Sequence, residues 1–312
     1  MNRRSALLTG LLAASVAWLT GCPPCDVELV GREALFDAHN GNAERIPALW
    51  AVADIEINLT AEGLFRSYRL PDGRLYFRRR GDDPLGPHYF MLRGKEIDQE
   101  VFRLGIDADA GLFYYWVDIP GGESFARYGP LEALHGLDGE GLPMDPVQLL
   151  DALGVLPWPT DLDAPSQVVL RTPEKPCVYE MLTVARRDAW DGWYLARQTL
   201  IDRRDESRQP CRTMLYDRQG RIAMTAELED YEPVAVPDDV LVPPEVPTDI
   251  RITWPDSEPI RSIRLRLGGM TTGTEDEPVP PPAAFRFRPP ATIRDIRPLG
   301  DGPPPRLQET AP

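Results

Sequence analysis

The chain has 312 residues, 42% of them hydrophobic, with 34 prolines and a formal net charge of −15. So acidic a chain lacks the basic footprint of a nucleic-acid binder and has no broad attraction to anionic headgroups. Beyond its first apolar run, no stretch reaches the about 20 apolar residues of a spanning helix, and the remaining length suits one large domain or two modest ones.

Arg3 and Arg4 precede an apolar run from Ala6 to Leu19, short for a membrane span and ending in small residues, as a cleaved export signal does. The arginine pair fits the twin-arginine export pattern poorly. The run closes on Leu19-Thr20-Gly21-Cys22, which resembles the lipobox of bacterial lipoproteins. That resemblance implies cleavage between Gly21 and Cys22 and acylation of Cys22, the first residue of the mature protein. Each buried methylene adds about 0.8 kcal/mol, so two or three acyl chains hold firmly where one does not. Residues 1–21 are then signal and 22–30 a lipidated tether. Pro23 is not the aspartate associated with inner-membrane retention, which favours a periplasm-facing protein of the outer membrane.

Cys25 falls in this tether, expected to be flexible. Cys177 and Cys211 would lie two strands apart, roughly 9–10 Å, beyond the about 7 Å that a disulfide spans between α-carbons. A disulfide between them is conceivable in an oxidising compartment outside the cytoplasm, but free buried thiols are the expectation at both.

Residues 31–46 read as a helix, interrupted or ended near Gly41, with Leu35, Ala38 and Ile46 inward. From Trp50 the period becomes two, and residues 54–60 alternate cleanly as a strand with one wet face. Residues 64–70 and 74–80 flank Pro71-Asp72-Gly73, a hairpin-turn signal. Strands follow at 88–93, 100–106 and 112–119, the last reached through a polar turn at 107–111, and then a Gly/Pro-rich stretch at 120–143. Asp145-Pro146-Val147-Gln148 opens the best helix: an Asp N-cap, Pro at the first helical position, and Gln three residues after the cap. Leu149, Leu150 and Leu153 form its stripe and Gly154 closes it. Extended segments recur at 168–171, 178–186, 193–202, 212–216 and 222–230, the last two joined at 217–220. A proline-rich connector (232–247) leads to strands at 250–254 and 263–267 and a short one at 285–287. Residues 291–312 are expected to be a mobile tail.

The expected fold class is mainly β (α+β), a large curved antiparallel sheet of about ten or eleven strands with helices on its concave face. It occupies residues 31–290 as one domain.

Several segments resemble the LolA/LolB-like lipoprotein-carrier superfamily. They are the helix leading into Ala48-Leu49-Trp50-Ala51, the alternating Ile55-Glu56-Ile57, and Gln198-Thr199-Leu200-Ile201-Asp202. Tyr216-Asp217-Arg218-Gln219-Gly220-Arg221-Ile222 and Phe285-Arg286-Phe287-Arg288-Pro289-Pro290 complete the set. The resemblance implies a half-open β-barrel with a helical lid over an apolar cavity that takes the acyl chains of lipoproteins or other lipids. It implies no cofactor and no catalysis, and the anchored form is similar to the receptor member. One departure is that the receptor's apolar loop has no counterpart here, since 71–73 is polar and 82–87 carries only Leu85. The expected cavity lining is Ile55, Ile57, Leu59, Leu75, Phe77, Phe102, Leu104, Phe113 and Tyr115. The same residues can instead fill a sealed core, which would make the protein an envelope scaffold or interaction lipoprotein. A monomer is expected.

No residue pattern points to an enzyme or a metal protein. His39, His88 and His135 are isolated, without H-x-x-x-H spacing, and no G-x-S-x-G, P-loop or G-x-G-x-x-G occurs. Asp82-Asp83 and Glu275-Asp276-Glu277 read as solvated loops, and Asp107-x-Asp109 lacks the later glutamate of a calcium loop. Arg78-Arg79-Arg80 reads as a solvated strand edge that discourages edge pairing.

Overall fold

The structure, a computed structural model, describes residues 25–299 apart from 62–63, 82–86, 121, 123, 132–133, 135–144, 159–165, 174–175, 187–191, 218, 237–241, 256–259 and 274–277. Its strands are β1 (Ala48–Ala61), β2 (Leu64–Arg78), β3 (Tyr89–Glu96), β4 (Gln99–Asp107), β5 (Leu112–Asp118), β6 (Ser124–Pro130) and β7 (Ser166–Arg171). They continue as β8 (Val178–Arg186), β9 (Trp193–Asp202), β10 (Pro210–Tyr216), β11 (Ile222–Pro233), β12 (Glu245–Thr253), β13 (Ile260–Thr271) and β14 (Ile296–Pro298). All 14 join one sheet in the order β14-β6-β5-β4-β3-β2-β1-β13-β12-β11-β10-β9-β8-β7. Neighbours are antiparallel except β14, which runs parallel to β6. The sheet is curved and does not close, so the expected half-open barrel is observed, with β14 and β7 at its edges.

β1 lies in the middle and sets the pattern. Leu49, Ala51, Ala53, Ile55 and Ile57 are buried on one face, while Asp54, Glu56 and Asn58 alternate onto the other. The expected hairpin at Pro71-Asp72-Gly73 is absent, and β2 runs straight through these residues. Ala53 pairs with Gly73 and Ile55 with Leu70, so two residues of β2 stand opposite Asp54, which makes a β-bulge. Proline is tolerated where the ladder is already interrupted. Glycine is demanded by close approach: a Cβ on Gly73 would lie 2.5 Å from the Ala53 carbonyl oxygen and 2.8 Å from Ile55 Cδ1.

The strand count exceeds the sequence expectation partly because β6 lies in the Gly/Pro-rich stretch and β14 has only three residues. Phe285-Arg286-Phe287 is not a strand either. Pro282–Phe285 forms a 3₁₀ turn that buries Phe285, and Phe287 packs against Tyr114 and Tyr128 on the far side of β5 and β6. The expected tail therefore begins later than 291. Ile293 is buried, β14 adds to β6, and the Arg127 guanidinium donates to the Asp295 carboxylate at 3.0 Å. Residues 300–312 lie outside the described residues.

Two helices cover the face defined by Ile55. α1 (Arg32–Glu44) is uninterrupted at Gly41, since one glycine weakens a helix by about 1 kcal/mol without breaking it. Its buried residues are Leu35, Phe36, His39, Asn42 and Ala43; Ala38 is half-buried, and Ile46 is buried just past the helix end. α2 (Pro146–Ala152) has the expected cap, with Asp145 Oδ1 accepting from the Val147 amide at 2.8 Å, and Gly154 leaves the helix at φ +70°.

The cysteine expectation is corrected. Cys25 is bonded to Cys177, with α-carbons 5.5 Å apart, so the N-terminal segment is stapled rather than free. Cys211 remains a thiol and donates to the Leu200 carbonyl at 3.4 Å. The pairing follows from the path of the chain before α1. Tyr179 of β8 meets it twice, accepting from the Val30 amide at 3.0 Å and donating to the Glu28 carbonyl at 3.3 Å.

Gly73→Ala is expected to lower the unfolding free energy by about 1–3 kcal/mol through overpacking. Gly41→Ala, whose Cβ meets nothing within 4 Å, is expected to raise it by up to about 1 kcal/mol. Urea titration of the two variants side by side checks both signs.

Candidate functional site

The pairing register brings the nine expected lining residues to one face. Ala51 pairs with Leu75 and Leu49 with Phe77; Leu75 pairs with Leu92, which pairs with Leu104, which pairs with Tyr115. Phe90 links Phe77 to Ile106 and Phe113, and Gly94 faces Phe102. On the other side of β1, Ile55 pairs with Leu265, Ile57 with Ile263 and Leu59 with Ile260. The same face continues through Ile250 and Ile252 to Leu228 and Ala226.

This inner face is roofed. Leu149, Leu150, Ala152, Leu153 and Val155, in and just after α2, join the same apolar cluster as Ile55, Ile57, Leu75, Phe77, Phe102, Leu104 and Tyr115. Eight of the nine expected residues are buried, and Leu59 alone is half-buried. Burial pushes the Tyr115 hydroxyl up to about 12, against the opposing pull of Arg127, so Tyr115 stays protonated at physiological pH. In this state the face is a packed core with α2 seated on it.

The roof is held by polar ties that the sequence did not announce. Arg197 of β9 donates to both Asp151 oxygens of α2, at 2.5 and 2.6 Å. Two asparagines of α1 each make a two-way backbone match. Asn40 accepts from the Trp158 amide at 2.8 Å and donates to its carbonyl at 3.0 Å, and Asn42 does the same with Glu245 at 2.8 and 2.7 Å. His39 stacks on Trp158, with ring centroids 3.8 Å apart, and contacts the Leu156 carbonyl at 3.0 Å. A carbonyl only accepts, so the neutral ring carries its proton on Nε2. Burial lowers the His39 pKa to about 4, outweighing the hydrogen bond to Leu156 and the Asp151 charge, which raise it. Buried polar residues thus interrupt the apolar stripe of α1, which is why its period reads as imperfect.

The opposite face is wet across β1, β2 and β10–β13, whereas over β5 and β6 it is covered by an apolar cluster of Tyr114, Trp116, Tyr128, Phe287 and Ile293. An ion-pair ladder crosses six strands: Arg69 to Asp54, Arg266 to Asp54 and Asp249, Arg264 to Asp249, Arg251 to Glu227, and Arg212 to Glu227. Such half-exposed pairs contribute little individually. Their consequence is that, over these six strands, the roofed face is the one that offers continuous apolar surface to a ligand.

Other sequence expectations resolve locally. Arg78-Arg79-Arg80 is not a solvated edge, because β2 is an interior strand. Arg79 donates to the Ala43 and Val155 carbonyls and Arg80 to the Ala108 carbonyl, which ties α1 to the strand ends. In the Asp107-x-Asp109 turn, Asp109 accepts from Tyr89 Oη at 2.6 Å and Asp107 from the Ala110 amide at 3.1 Å. Among the described residues, no group of three or more His, Cys, Asp or Glu is placed to hold a metal ion. In the Tyr216–Arg221 motif, Asp217 collects the Gln219 and Arg221 amides, each at 2.9 Å, and so closes the β10–β11 turn. Gly21, Cys22, Asp82-Asp83, Leu85, His135 and Glu275-Asp276-Glu277 lie outside the described residues. An exposed apolar tip occurs in the β3–β4 turn, away from residues 71–73 and 82–87. Ile97 is 91% exposed in the β3–β4 turn, at φ +46°, an unusual backbone for a β-branched residue.

No protein-family model and no curated protein matches the chain. Similar solved structures include a DUF1329 family protein from Desulfovibrio piger, at 12% identity and TM-score 0.45, covering 77% of this chain and 92% of that one. A domain assigned by name to outer membrane lipoprotein sorting, from Vibrio parahaemolyticus, has 12% identity, TM-score 0.44 and the same coverages. A LolA superfamily protein from Nitrosomonas europaea has 11% identity and TM-score 0.45, covering 83% of this chain and 99% of that one.

The depressed His39 pKa carries a pH prediction. Between about 4 and 6.5 the unfolded chain binds a proton at His39 that the folded chain refuses, so stability rises with pH across that window. The His39 share of the loss on acidification approaches roughly 3 kcal/mol. His39→Phe, which keeps a ring on Trp158 but does not titrate, is expected to flatten this part of a stability-against-pH curve measured by denaturant unfolding.

Proposed function

We propose that this chain is a lipid-anchored envelope lipoprotein whose inner face takes acyl chains of lipids or lipoproteins when α2 lifts. The observation that carries the reading is the shared face of the nine residues in a sheet that stays open between its edges, roofed by a helix of only seven residues. Acyl chains need apolar area and no directional contacts, at about 25 cal/mol per Å² buried. A closed barrel would hide such a face permanently; here a short helix, its ion pair to Arg197, the bonds of the segment after it to His39, Asn40 and Arg79, and apolar contacts separate it from a ligand. The reading is non-catalytic, a role that asks only for apolar area, and Tyr115 on the inner face is held protonated. Acylation at Cys22 would hold the protein at the periplasmic side of a membrane, the outer membrane being favoured by Pro23.

A second reading has its own observation. Eight of the nine residues are buried as in a finished core, which is what a scaffold lipoprotein with a sealed interior would show.

Native mass spectrometry of protein exported without the lipid anchor, followed by lipid extraction, separates the two. A carrier is expected to hold co-purified phospholipid or acylated peptide and to lose it on Ile57→Glu. The milder Leu59→Glu, at a half-buried position, guards against simple unfolding. A clean ligand-free mass with no uptake of added lipid favours the scaffold. Cys22→Ala is expected to release the chain from membranes in fractionation, and full retention in the pellet would contradict the anchor.

A further inference from the structure

The disulfide joins two unlike cysteines. Cys25 is half-buried and is followed by Asp26, Val27, Glu28 and Leu29, all exposed, whereas Cys177 is 8% exposed. Three hydrogen bonds also tie this strap to the sheet. Two involve Tyr179 Oη, and in the third the Arg203 guanidinium donates to the Val27 carbonyl at 3.0 Å.

Arg203 is the residue that a structural staple does not need. It stands opposite Cys177 where β8 and β9 end, and its amide donates to the Cys177 carbonyl at 3.2 Å. The side chain is 9% exposed, its guanidinium carbon lies 5.6 Å from the centre of the Tyr179 ring, and its Nε has no hydrogen-bond partner. Among the described residues, no carboxylate pairs with it. A buried cation is ordinarily paired, and the chain has 49 acidic residues from which to pair this one. The carboxylates nearest along the chain, Asp26, Glu28, Asp202 and Asp205, are exposed or half-buried, so water screens them. Asp202 and Asp205 are also occupied, accepting from the Arg204 and Ser207 amides at 2.9 Å each.

We propose that Cys25–Cys177 is a thiol-exchange site, a clasp on the entry to α1 that a dithiol opens, with Arg203 stabilising the Cys177 thiolate as it leaves. One thiolate of the dithiol bonds to the more accessible Cys25 sulfur; the S–S bond breaks and its electron pair goes to Cys177. The second thiol of the dithiol then attacks the mixed disulfide, closes the dithiol's own disulfide and releases Cys25. Two electrons and two protons pass from the dithiol to the clasp. Exchange is faster when the leaving thiol has a lower pKa, and a neighbouring guanidinium lowers it. Opening removes the covalent tie before α1 and leaves its first turns held by Leu35 and Phe36 against Tyr179, Met181 and Ile201.

The test treats the full-length folded protein with dithiothreitol, quenches with iodoacetamide and scores Cys25 and Cys177 separately by peptide mass mapping, so its outcome does not depend on Cys22. The wild type is expected to be reduced while folded, and reduction only after denaturation overturns the site. Arg203→Met is expected to slow reduction several-fold, and Arg203→Lys, which keeps the charge, to restore much of the rate. A guanidinium that only braced the strap would leave the bond more accessible once removed. Unchanged or faster reduction in Arg203→Met therefore overturns the proposal. In Cys25→Ser, the pH dependence of Cys177 alkylation is expected to give a thiol pKa below the ordinary value of about 8.5, rising when Arg203→Met is added. A pKa that does not respond contradicts the role of Arg203. Amide hydrogen exchange over residues 32–36 is expected to quicken several-fold in the reduced wild type, and unchanged exchange contradicts a clasp on α1.

Discussion

An apolar sheet face that the sheet does not close over must be covered by something else, and most of this structure answers that requirement. Period-two burial in β1 propagates through the register to β5 on one side and β11 on the other, producing one uninterrupted apolar surface. Water on that surface would cost far more than the ordering of two short helices. α1 and α2 are therefore held less by helix propensity than by what they cover. α1 contains an interior glycine and lacks a side-chain N-cap, yet it is fixed by Leu35, Phe36 and the backbone matches of Asn40 and Asn42.

The two covers are tied in different ways. α1 is fastened at both ends: the disulfide and Tyr179 hold the chain before it, and Asn42, with Arg79 donating to the Ala43 carbonyl, holds its last turn. α2 has its Asp145 cap, the Asp151–Arg197 pair and an apolar underside. Just beyond α2, Val155, Leu156 and Trp158 are tied to Arg79, His39 and Asn40, so α2 moves to admit a ligand by breaking the Asp151–Arg197 pair and pivoting on that segment. The wet ladder on the outer face works in the same direction over β1, β2 and β10–β13, where it leaves the roofed face as the continuous apolar surface, while the far side of β5 and β6 is closed by Phe287 and Ile293.

Much of this was legible in the sequence, for identifiable reasons. Strict alternation in β1, β12 and β13 exposed both the strands and their buried face, and the Asp145-Pro146 cap located α2. Other features depended on long-range contacts that local patterns do not report. Pro71-Asp72-Gly73 carries the residues of a turn, but β1 on one side and β3 on the other hold the chain extended, so the same residues become a bulge. The Cys25–Cys177 bond leaves no local trace, because strand spacing constrains only Cys177 and Cys211, whereas the partner lies before α1. His39 and Asn42 interrupt the apolar stripe of α1 as polar residues, and only their partners, the Leu156 carbonyl and the Glu245 backbone, show why they are buried. Ile97 gives no local signal of its turn, because a two-residue turn that requires positive φ is normally filled by Gly, Asn or Asp.

The central claim is that the inner face becomes a ligand site by movement of α2, and locking that helix tests it most directly. In a Cys211→Ser background, Asp151→Cys and Arg197→Cys would be joined by a reducible bismaleimide in place of the ion pair, and uptake of a fluorescent acyl chain would be followed before and after reduction, with the Cys211→Ser parent treated alike to account for reduction of Cys25–Cys177. The account predicts uptake in the reduced protein and its loss in the cross-linked one. Equal uptake in both states, or none in either, would contradict it.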